Sequence, residues 1–286
     1  MRIYLTLLGL FVSLGLPVTA QVSVEVLLDQ TQFLRDESLP VNVRITNRSG
    51  QRLQIGQEKN WLTFNLENRD GVLVARLGEI PVEGELSLES ARQATRRLDL
   101  MPYYDLSVPG RYRISATVKI KQWDQEVSSA PKEFDIVRGV KIWEEDFGVS
   151  VGGKAPEPRK YLLQQATFLK QLKLYVRITD LSENQVFRVV AAGSTVSFSR
   201  PEHEIDRESN LHLLFQTGAR SFSYCKISPD GDLLLRQTHD YSPDRPVLRL
   251  NENGRVQVTG GARRLVSDDF PPAAPTSTND VKTARP

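Results

Sequence analysis

From Val22 to Val137, apolar side chains recur at every second position. Val22, Val24, Val26 and Leu28 alternate with Ser23, Glu25 and Leu27, and Val41, Val43 and Ile45 alternate with Asn42, Arg44 and Thr46. Successive side chains of an extended chain point to opposite faces, so each run offers one apolar face to a core. Further runs of this kind follow at Trp61–Leu66, Val72–Arg76, Ala94–Leu100, Arg111–Ile120 and Lys132–Val137. Between them stand Asn47-Arg48-Ser49-Gly50, Arg69-Asp70-Gly71 and Pro109-Gly110, residues that reverse a chain at little steric cost. About seven short strands at this spacing predict a two-sheet sandwich over residues 22–138. Trp61, Phe64, Tyr112 and Ile114 are expected in its core, with Tyr112 near a corner between the sheets.

Two stretches carry a family resemblance. The segment Tyr104-Asp105-Leu106-Ser107-Val108-Pro109-Gly110-Arg111-Tyr112-Arg113-Ile114 resembles the end of many bacterial immunoglobulin-like domains, where a Tyr-x-Leu segment and a Pro-Gly turn lead into the penultimate strand. Leu39-Pro40-Val41-Asn42-Val43-Arg44-Ile45-Thr46-Asn47 is similar to their second strand. Less specifically, the pattern resembles the proteinase-inhibitor-type bacterial sandwich domains. The resemblance covers residues 22–137 and departs from antibody-type domains in lacking both core cysteines. It implies a fold and no active site, because such domains are usually spacers or binding modules.

The second half, residues 139–264, is expected to form another antiparallel β domain. Gly139 to about Arg159 is transitional, and Val140–Phe147 reads either as its first strand or as an extension of the sandwich's last one. Leu174-Tyr175-Val176, Leu211-His212-Leu213 and Leu248-Arg249-Leu250 begin three similar stretches, and 211 − 174 and 248 − 211 both give 37. Hairpin units at that spacing suggest propeller-like repeats, although three are too few to close a ring. An irregular sandwich is the alternative. Tyr161–Leu172 fits a helix by composition and a strand by its neighbours. Residues 265–286 turn to Ser, Asp, Pro, Ala and Thr and are expected to be a disordered tail.

At the other end, Met1-Arg2, the apolar run Ile3–Leu16 and Val18-Thr19-Ala20 make the three parts of a secretory signal over residues 1–20, cleaved before Gln21. The run is shorter than the roughly 20 residues that span a bilayer. A secreted or periplasmic protein with no permanent membrane anchor is therefore expected. The lone cysteine, Cys225, excludes an intramolecular disulfide and a cysteine-based zinc site. The formal charge is +2. Residues 138–264 hold 19 Lys/Arg against 15 Asp/Glu, interspersed, which is not the dense basic face of a nucleic-acid binder.

Several stretches invite a catalytic reading. Gly148-Val149-Ser150-Val151-Gly152 matches the serine-hydrolase elbow, and Gly148 to Lys154 matches most of a phosphate-binding loop. Both need a helix next, which Pro156 and Pro158 oppose, and Ala155 replaces the magnesium-binding hydroxyl. A flexible connector fits better. His203-Glu204 lacks the second histidine of a helical zinc site, since position 207 is arginine. His212, between Leu211 and Leu213, is expected to face outward, and His239-Asp240 lies in a polar stretch. Asp230-Gly231-Asp232 reads as a hairpin turn rather than a calcium loop, Cys225 as a buried inert thiol, and Asn47-Arg48-Ser49 as a turn or a glycosylation acceptor. No catalytic, cofactor-binding or metal-binding residue is assigned, and no cofactor is expected. The expected function is a non-enzymatic binding or scaffold protein with a protein or glycan partner. The alternative is an enzyme, enzyme accessory or proteinase inhibitor, whose hydrolase form requires Ser150 beside a histidine.

Overall fold

The computed structural model describes residues 21–150 and 155–271. The expected secretory signal over residues 1–20, part of the glycine connector and the end of the expected tail lie outside the described residues. Within them the chain is all-β, in several antiparallel sheets with no α-helix. No helix among them is long and apolar enough to cross a membrane.

Ten strands build the first half: β1 (Val22–Leu28), β2 (Gln32–Leu34), β3 (Pro40–Asn47), β4 (Leu53–Ile55), β5 (Leu62–Asn68), β6 (Leu86–Leu88), β7 (Gln93–Asp99), β8 (Gly110–Ile120), β9 (Gln125–Ser128) and β10 (Lys132–Val137). One sheet runs β1-β3-β7. The other runs β2-β10-β8-β5, with β9 also on β8, and β4 pairs with β6. Among the described residues only the β2–β10 pairing is parallel. Alternation puts Val24, Val26 and Leu28 opposite Ile45, Val43 and Val41 on one inner face. Ile114, Ala116, Val118 and Phe134 line the facing sheet, and the two faces share one core. Burial of that paired apolar surface, at about 25 cal/mol per Å², is what holds the two sheets together. Trp61, Tyr112 and Ile114 lie fully inside, and Phe64 packs against them half-buried. The run Val72–Arg76 is extended but forms no strand, making single bridges at Leu73 and Arg76.

Eleven strands follow: β11 (Val140–Val149), β12 (Glu157–Phe168), β13 (Gln171–Thr179), β14 (Val186–Thr195), β15 (Glu202–Ile205), β16 (Leu211–Gln216), β17 (Ser221–Ile227), β18 (Leu233–Asp240), β19 (Val247–Leu250), β20 (Val256–Thr259) and β21 (Ala262–Arg264). They form the meanders β11-β12-β13-β14 and β15-β16-β17-β18-β21, plus the hairpin β19-β20. Tyr161, Leu163, Leu174 and Val176 of the first meander pack on Leu211, Leu213, Phe215 and Ile227 of the second. The hairpin covers the other face of the second meander, where Leu248, Val256 and Val258 meet Leu214, Phe222 and Tyr224.

Several expectations change here. Leu174, Leu211 and Leu248 fall on the third strand of one sheet, the second of another and the first of a hairpin. The 37-residue spacing therefore marks no propeller repeat; regular hairpin lengths suffice to produce it. Tyr161–Leu172 is strand, turn and strand, with Leu169 and Lys170 both at positive φ in a two-residue turn. Val140–Val149 pairs with β12, not with the first sandwich. Residues 265–271, expected to begin the disordered tail, fold back onto β18. Phe270 exchanges backbone hydrogen bonds with Arg236, and buried Asp269 accepts from Arg263.

The halves meet through Leu34, which inserts among Ala166, Tyr175 and Val189 of the β12-β13-β14 surface. Beside it Arg177, almost wholly buried, donates to the Asp36 carboxylate and to the Arg35 carbonyl at 3.1 Å. Glu37 is buried there too, accepting from the Leu34 N–H at 2.7 Å, and burial pushes its carboxyl above the usual range. At the crossing from β10 to β11, a side chain on Gly139 would come within 3.0 Å of Leu34 and 3.1 Å of Gln164. Any larger residue there would make Leu34 or Gln164 give way by a few tenths of an ångström, so glycine suits the close approach of the two halves.

Candidate functional site

Where β5 ends, Asn68 turns the chain out of the sheet, its carboxamide oxygen accepting from the N–H groups of Asp70 and Val72 at 2.9 Å each. The following residues run back along the end of the sandwich. Val74 N–H donates to the Leu66 carbonyl and Asp105 N–H to the Ala75 carbonyl, both at 2.9 Å. Opposite them stands the Val108-Pro109-Gly110 turn, anchored by the Tyr112 hydroxyl donating to the Val108 carbonyl at 2.5 Å. Burial raises the Tyr112 pKa, so the phenol keeps the proton that bond requires.

Between these two walls, and floored by Ile136 and Val137 at the end of β10, opens a groove of about 810 Å³. Its lips are aliphatic and wet. Val72, Leu73 and Val108 are 61%, 65% and 67% exposed, an unusual concentration for residues that could have turned inward. Arg69 and Asp70 stand at one end without an ion pair among the described residues. Asp105 stands at the other, its carboxyl held below the ordinary range by hydrogen bonds from Ser107. Arg111 is already tied to Asp135 at 3.1 Å.

The three histidines do not gather. His212 is buried rather than outward-facing, because the β19–β20 hairpin covers that side of β16. Its Nε2 lies 2.9 Å from Asp206 Oδ2 and its Nδ1 2.6 Å from the Tyr224 hydroxyl. Lys226 donates to the same Asp206 oxygen at 2.9 Å, and the Asn210 side chain to both carboxylate oxygens at 3.0 Å. Burial would raise the Asp206 carboxyl, but the hydrogen bonds from His212, Lys226 and Asn210 outweigh it and hold the group well below its usual range. Ionised Asp206 fixes the His212 proton on Nε2 and leaves Nδ1 to accept from Tyr224, whose pKa burial pushes up to about 12. Such a chain can pass polarisation from carboxylate to phenol. With Tyr224 only 6% exposed, however, it ends under the hairpin, where no substrate reaches it.

His239 lies across Tyr224, edge to face at 6.4 Å, and its buried Nε2 has no partner among the described residues. Burial lowers the pKa of both histidines. His203 is elsewhere, stacked on Trp143 at 4.0 Å. Nothing among the described residues gathers three or more His, Cys, Asp or Glu side chains around a point where a metal would sit.

Ser150 follows the last residue of β11 and the chain returns as β12, a strand-to-strand connection instead of the strand-to-helix turn that an elbow or phosphate loop needs. Asp230 pairs with Arg159 at 2.9 Å, and Gly231, at φ 83°, makes the β17–β18 turn. Cys225 is buried in the second core, where desolvation raises its thiol pKa. Asn47 is fully buried and its amide donates to the Gln51 and Leu88 carbonyls, leaving no room for a glycan. Asp206 and Tyr224 escaped the sequence reading. The signal available was the unbroken run Leu211-His212-Leu213-Leu214-Phe215, which marks a strand covered on both faces.

No family model matches the chain, and no curated protein matches it. Among solved structures, the sporulation control protein Spo0M from Bacillus subtilis matches at 8% identity with a TM-score of 0.28, over 59% of this chain and 83% of that one. Likeness at that level carries no argument about this protein.

Proposed function

We propose that the chain is an exported, non-enzymatic binding protein whose first half is an immunoglobulin-like sandwich and whose partner is a polypeptide bearing aliphatic side chains. The sandwich assignment is supported by the strand order β1-β3-β7 against β2-β10-β8-β5, in which the first strand changes sheets between Leu28 and Gln32. It is supported too by the Tyr112 hydroxyl bonded back to Val108, the corner expected at the penultimate strand. Export rests on the three-part N-terminal segment.

The observation that carries the binding role is the groove between Val72–Val74 and Val108–Gly110. Its exposed lips are aliphatic, and the one aromatic ring lining it, Tyr112, is buried, so it offers no ring face for a sugar or base to stack on. Aliphatic lips suit Leu, Ile or Val side chains, and the mixed charges of Arg69, Asp70 and Asp105 suit a peptide backbone with charged neighbours. An enzyme has weaker support: the acid-base group most nearly assembled, Asp206-His212-Tyr224, is closed under β19–β20.

Selection of a random peptide display library on the purified protein tests this. Enriched peptides are expected to share an aliphatic anchor and to lose binding to Leu73→Asp and Val108→Asp variants, whose exposed positions leave folding intact. No enrichment, or enrichment indifferent to both substitutions, overturns the proposal.

A further inference from the structure

The two ends of the second half differ in charge, and the difference stands independently of the groove. One end carries the turns β13–β14, β15–β16, β17–β18 and β19–β20, at residues 180–185, 206–210, 228–232 and 251–255. Gly231 lies against Arg188 there, and Gly254 against Arg207. These turns hold seven Asp or Glu against Arg207 and Arg255. The other end carries the connections β12–β13, β14–β15, β16–β17 and β18–β19, at residues 169–170, 196–201, 217–220 and 241–246. Leu172 pairs with Thr195, the Val196 N–H donates to the Gln216 carbonyl at 3.0 Å, and the Tyr241 N–H donates to the Arg220 carbonyl at 2.8 Å. The four connections therefore stand side by side. They hold Lys170, Arg200, Arg220 and Arg245 against Asp244 alone.

Apolar side chains stand at the tips of this basic end. Phe198 at 77% and Leu169 at 75% are the most exposed large hydrophobic side chains among the described residues. Tyr241, with the Arg220 guanidinium 5.4 Å from its ring centre, is 42% exposed. Leu169 is also held at φ 44°, in a turn whose usual occupants are Asn and Gly. Folding gains nothing from a leucine kept both in water and in a costly backbone conformation, and such strain points to a use. Of the acids beside this end, Glu202 is tied to Arg245 at 3.4 Å and Asp240 to Arg264 at 2.9 Å. Asp244 and Asp268 make no ion pair among the described residues, and neither do Lys170, Arg200 and Arg220. The balance of free charge is positive.

We propose that this end docks reversibly on a membrane surface that contains anionic phospholipid. Leu169, Phe198 and Tyr241 enter the layer between headgroups and acyl chains, while Lys170, Arg200 and Arg220 meet the lipid phosphates. The acidic turns at the opposite end are repelled by the same surface, so the charge asymmetry orients the basic end towards it before contact. The tips project from three separate connections. Fluid lipid closes around each of them singly, whereas a folded partner has to match all three at once.

Sedimentation with vesicles tests this, on the purified protein from Gln21 onward, the expected exported form, so that the apolar run Ile3–Leu16 contributes nothing. Vesicles of phosphatidylcholine with about 40% phosphatidylglycerol are expected to bind it at least about tenfold more strongly than phosphatidylcholine alone, and salt to remove the difference. Leu169→Asn and Phe198→Ser should each weaken binding about tenfold. Leu169→Asn, which suits the turn, should leave the melting temperature unchanged or raise it, whereas a purely structural leucine would lower it. Lys170→Gln with Arg200→Gln should weaken binding to the anionic vesicles about tenfold or more and leave the neutral ones unaffected. No sedimentation with anionic vesicles at about 1 mM lipid overturns the proposal. So does binding that Leu169→Asn and Phe198→Ser leave unchanged, or binding lost instead with Leu73→Asp, which would move the contact to the groove. Retention on polyglutamate in place of vesicles would make this end a site for an acidic protein and overturns it too. Equal binding to both kinds of vesicle overturns the anionic preference.

Discussion

Strand β3 of the first sandwich buries every second residue from Val41 to Asn47, whereas β16 of the second buries five in succession from Leu211 to Phe215. Strand β13 behaves like β16, buried without a break from Leu174 to Thr179. The cause is what lies outside each sheet. The outer face of β1-β3-β7 meets water, so Asn42, Arg44 and Thr46 point there half-exposed. The outer face of β13 is covered by Leu34 and its neighbours from the first half, and that of β16 by the β19–β20 hairpin. A sheet with one wet face shows the period of two; a sheet covered on both faces gives continuous apolar runs. Polar groups caught under such a cover are stabilised where they find partners, as Asp206, His212 and Tyr224 do in one network.

The largest expected effects test whether the halves are separate cores. Ile114→Ala in the first should cost roughly 2–5 kcal/mol and Phe215→Ala in the second roughly 3–5 kcal/mol, from lost burial and the cavity left behind. In scanning calorimetry each is expected to lower mainly its own half's transition. A single transition shifted equally by both would mean that the halves unfold as one body. Leu34→Ala should act more weakly, by about 2 kcal/mol, since its site can relax at the junction. It is expected to shift both transitions, because Leu34 belongs to one half and is buried in the other. A shift confined to the first half would remove the junction from the account.

How much of this was legible follows from the same contrast. Val22–Leu28, Val41–Thr46 and Lys132–Val137 revealed strands and inner faces because water covers their other side. Tyr112 and the Pro109-Gly110 turn revealed the corner, because a turn and its anchoring tyrosine lie close in sequence. The covers were not legible. Nothing in Leu34 itself says that it packs on Tyr175, far along the chain, or in Leu248 that it lies over Tyr224. His212 was misplaced for that reason: its outward side is real, but it faces a hairpin. The Trp143–His203 pair depends on a bulge, and Lys-Ile-Trp-Glu carries no mark of where a ladder slips by one residue. The groove lips were legible only as strand candidates, since Val72-Leu73-Val74 has the pattern of a strand and is held outside the sheet by the Asn68 turn.

The smallest effect separates the halves by pH, because all three histidines belong to the second. Burial lowers the pKa of His212 and His239 from the ordinary 6.5. Around His212 stand Asp206, Lys226, Glu208 and Tyr224; around His239 stand Arg263, Asp269, Asp240 and Tyr224. Both rings therefore stay neutral in the folded protein at pH values where the unfolded chain takes up protons. In that window the unfolded state binds more protons, so stability falls as the pH drops through 6.5 and is fully present above it. Asp206, held low by its hydrogen bonds, adds a further loss in the same direction below its ordinary 3.8. Denaturant unfolding followed from pH 8 to pH 5 should lower the midpoint of the second transition below about pH 6.5 and show no such loss in the first, where the raised Glu37 carboxyl changes stability in the opposite direction as the pH falls. His239→Gln, which removes the ring whose Nε2 has no partner, is expected to flatten part of that slope. A second transition with no such loss would mean that the buried histidines titrate normally, and that the hairpin does not seal them from water.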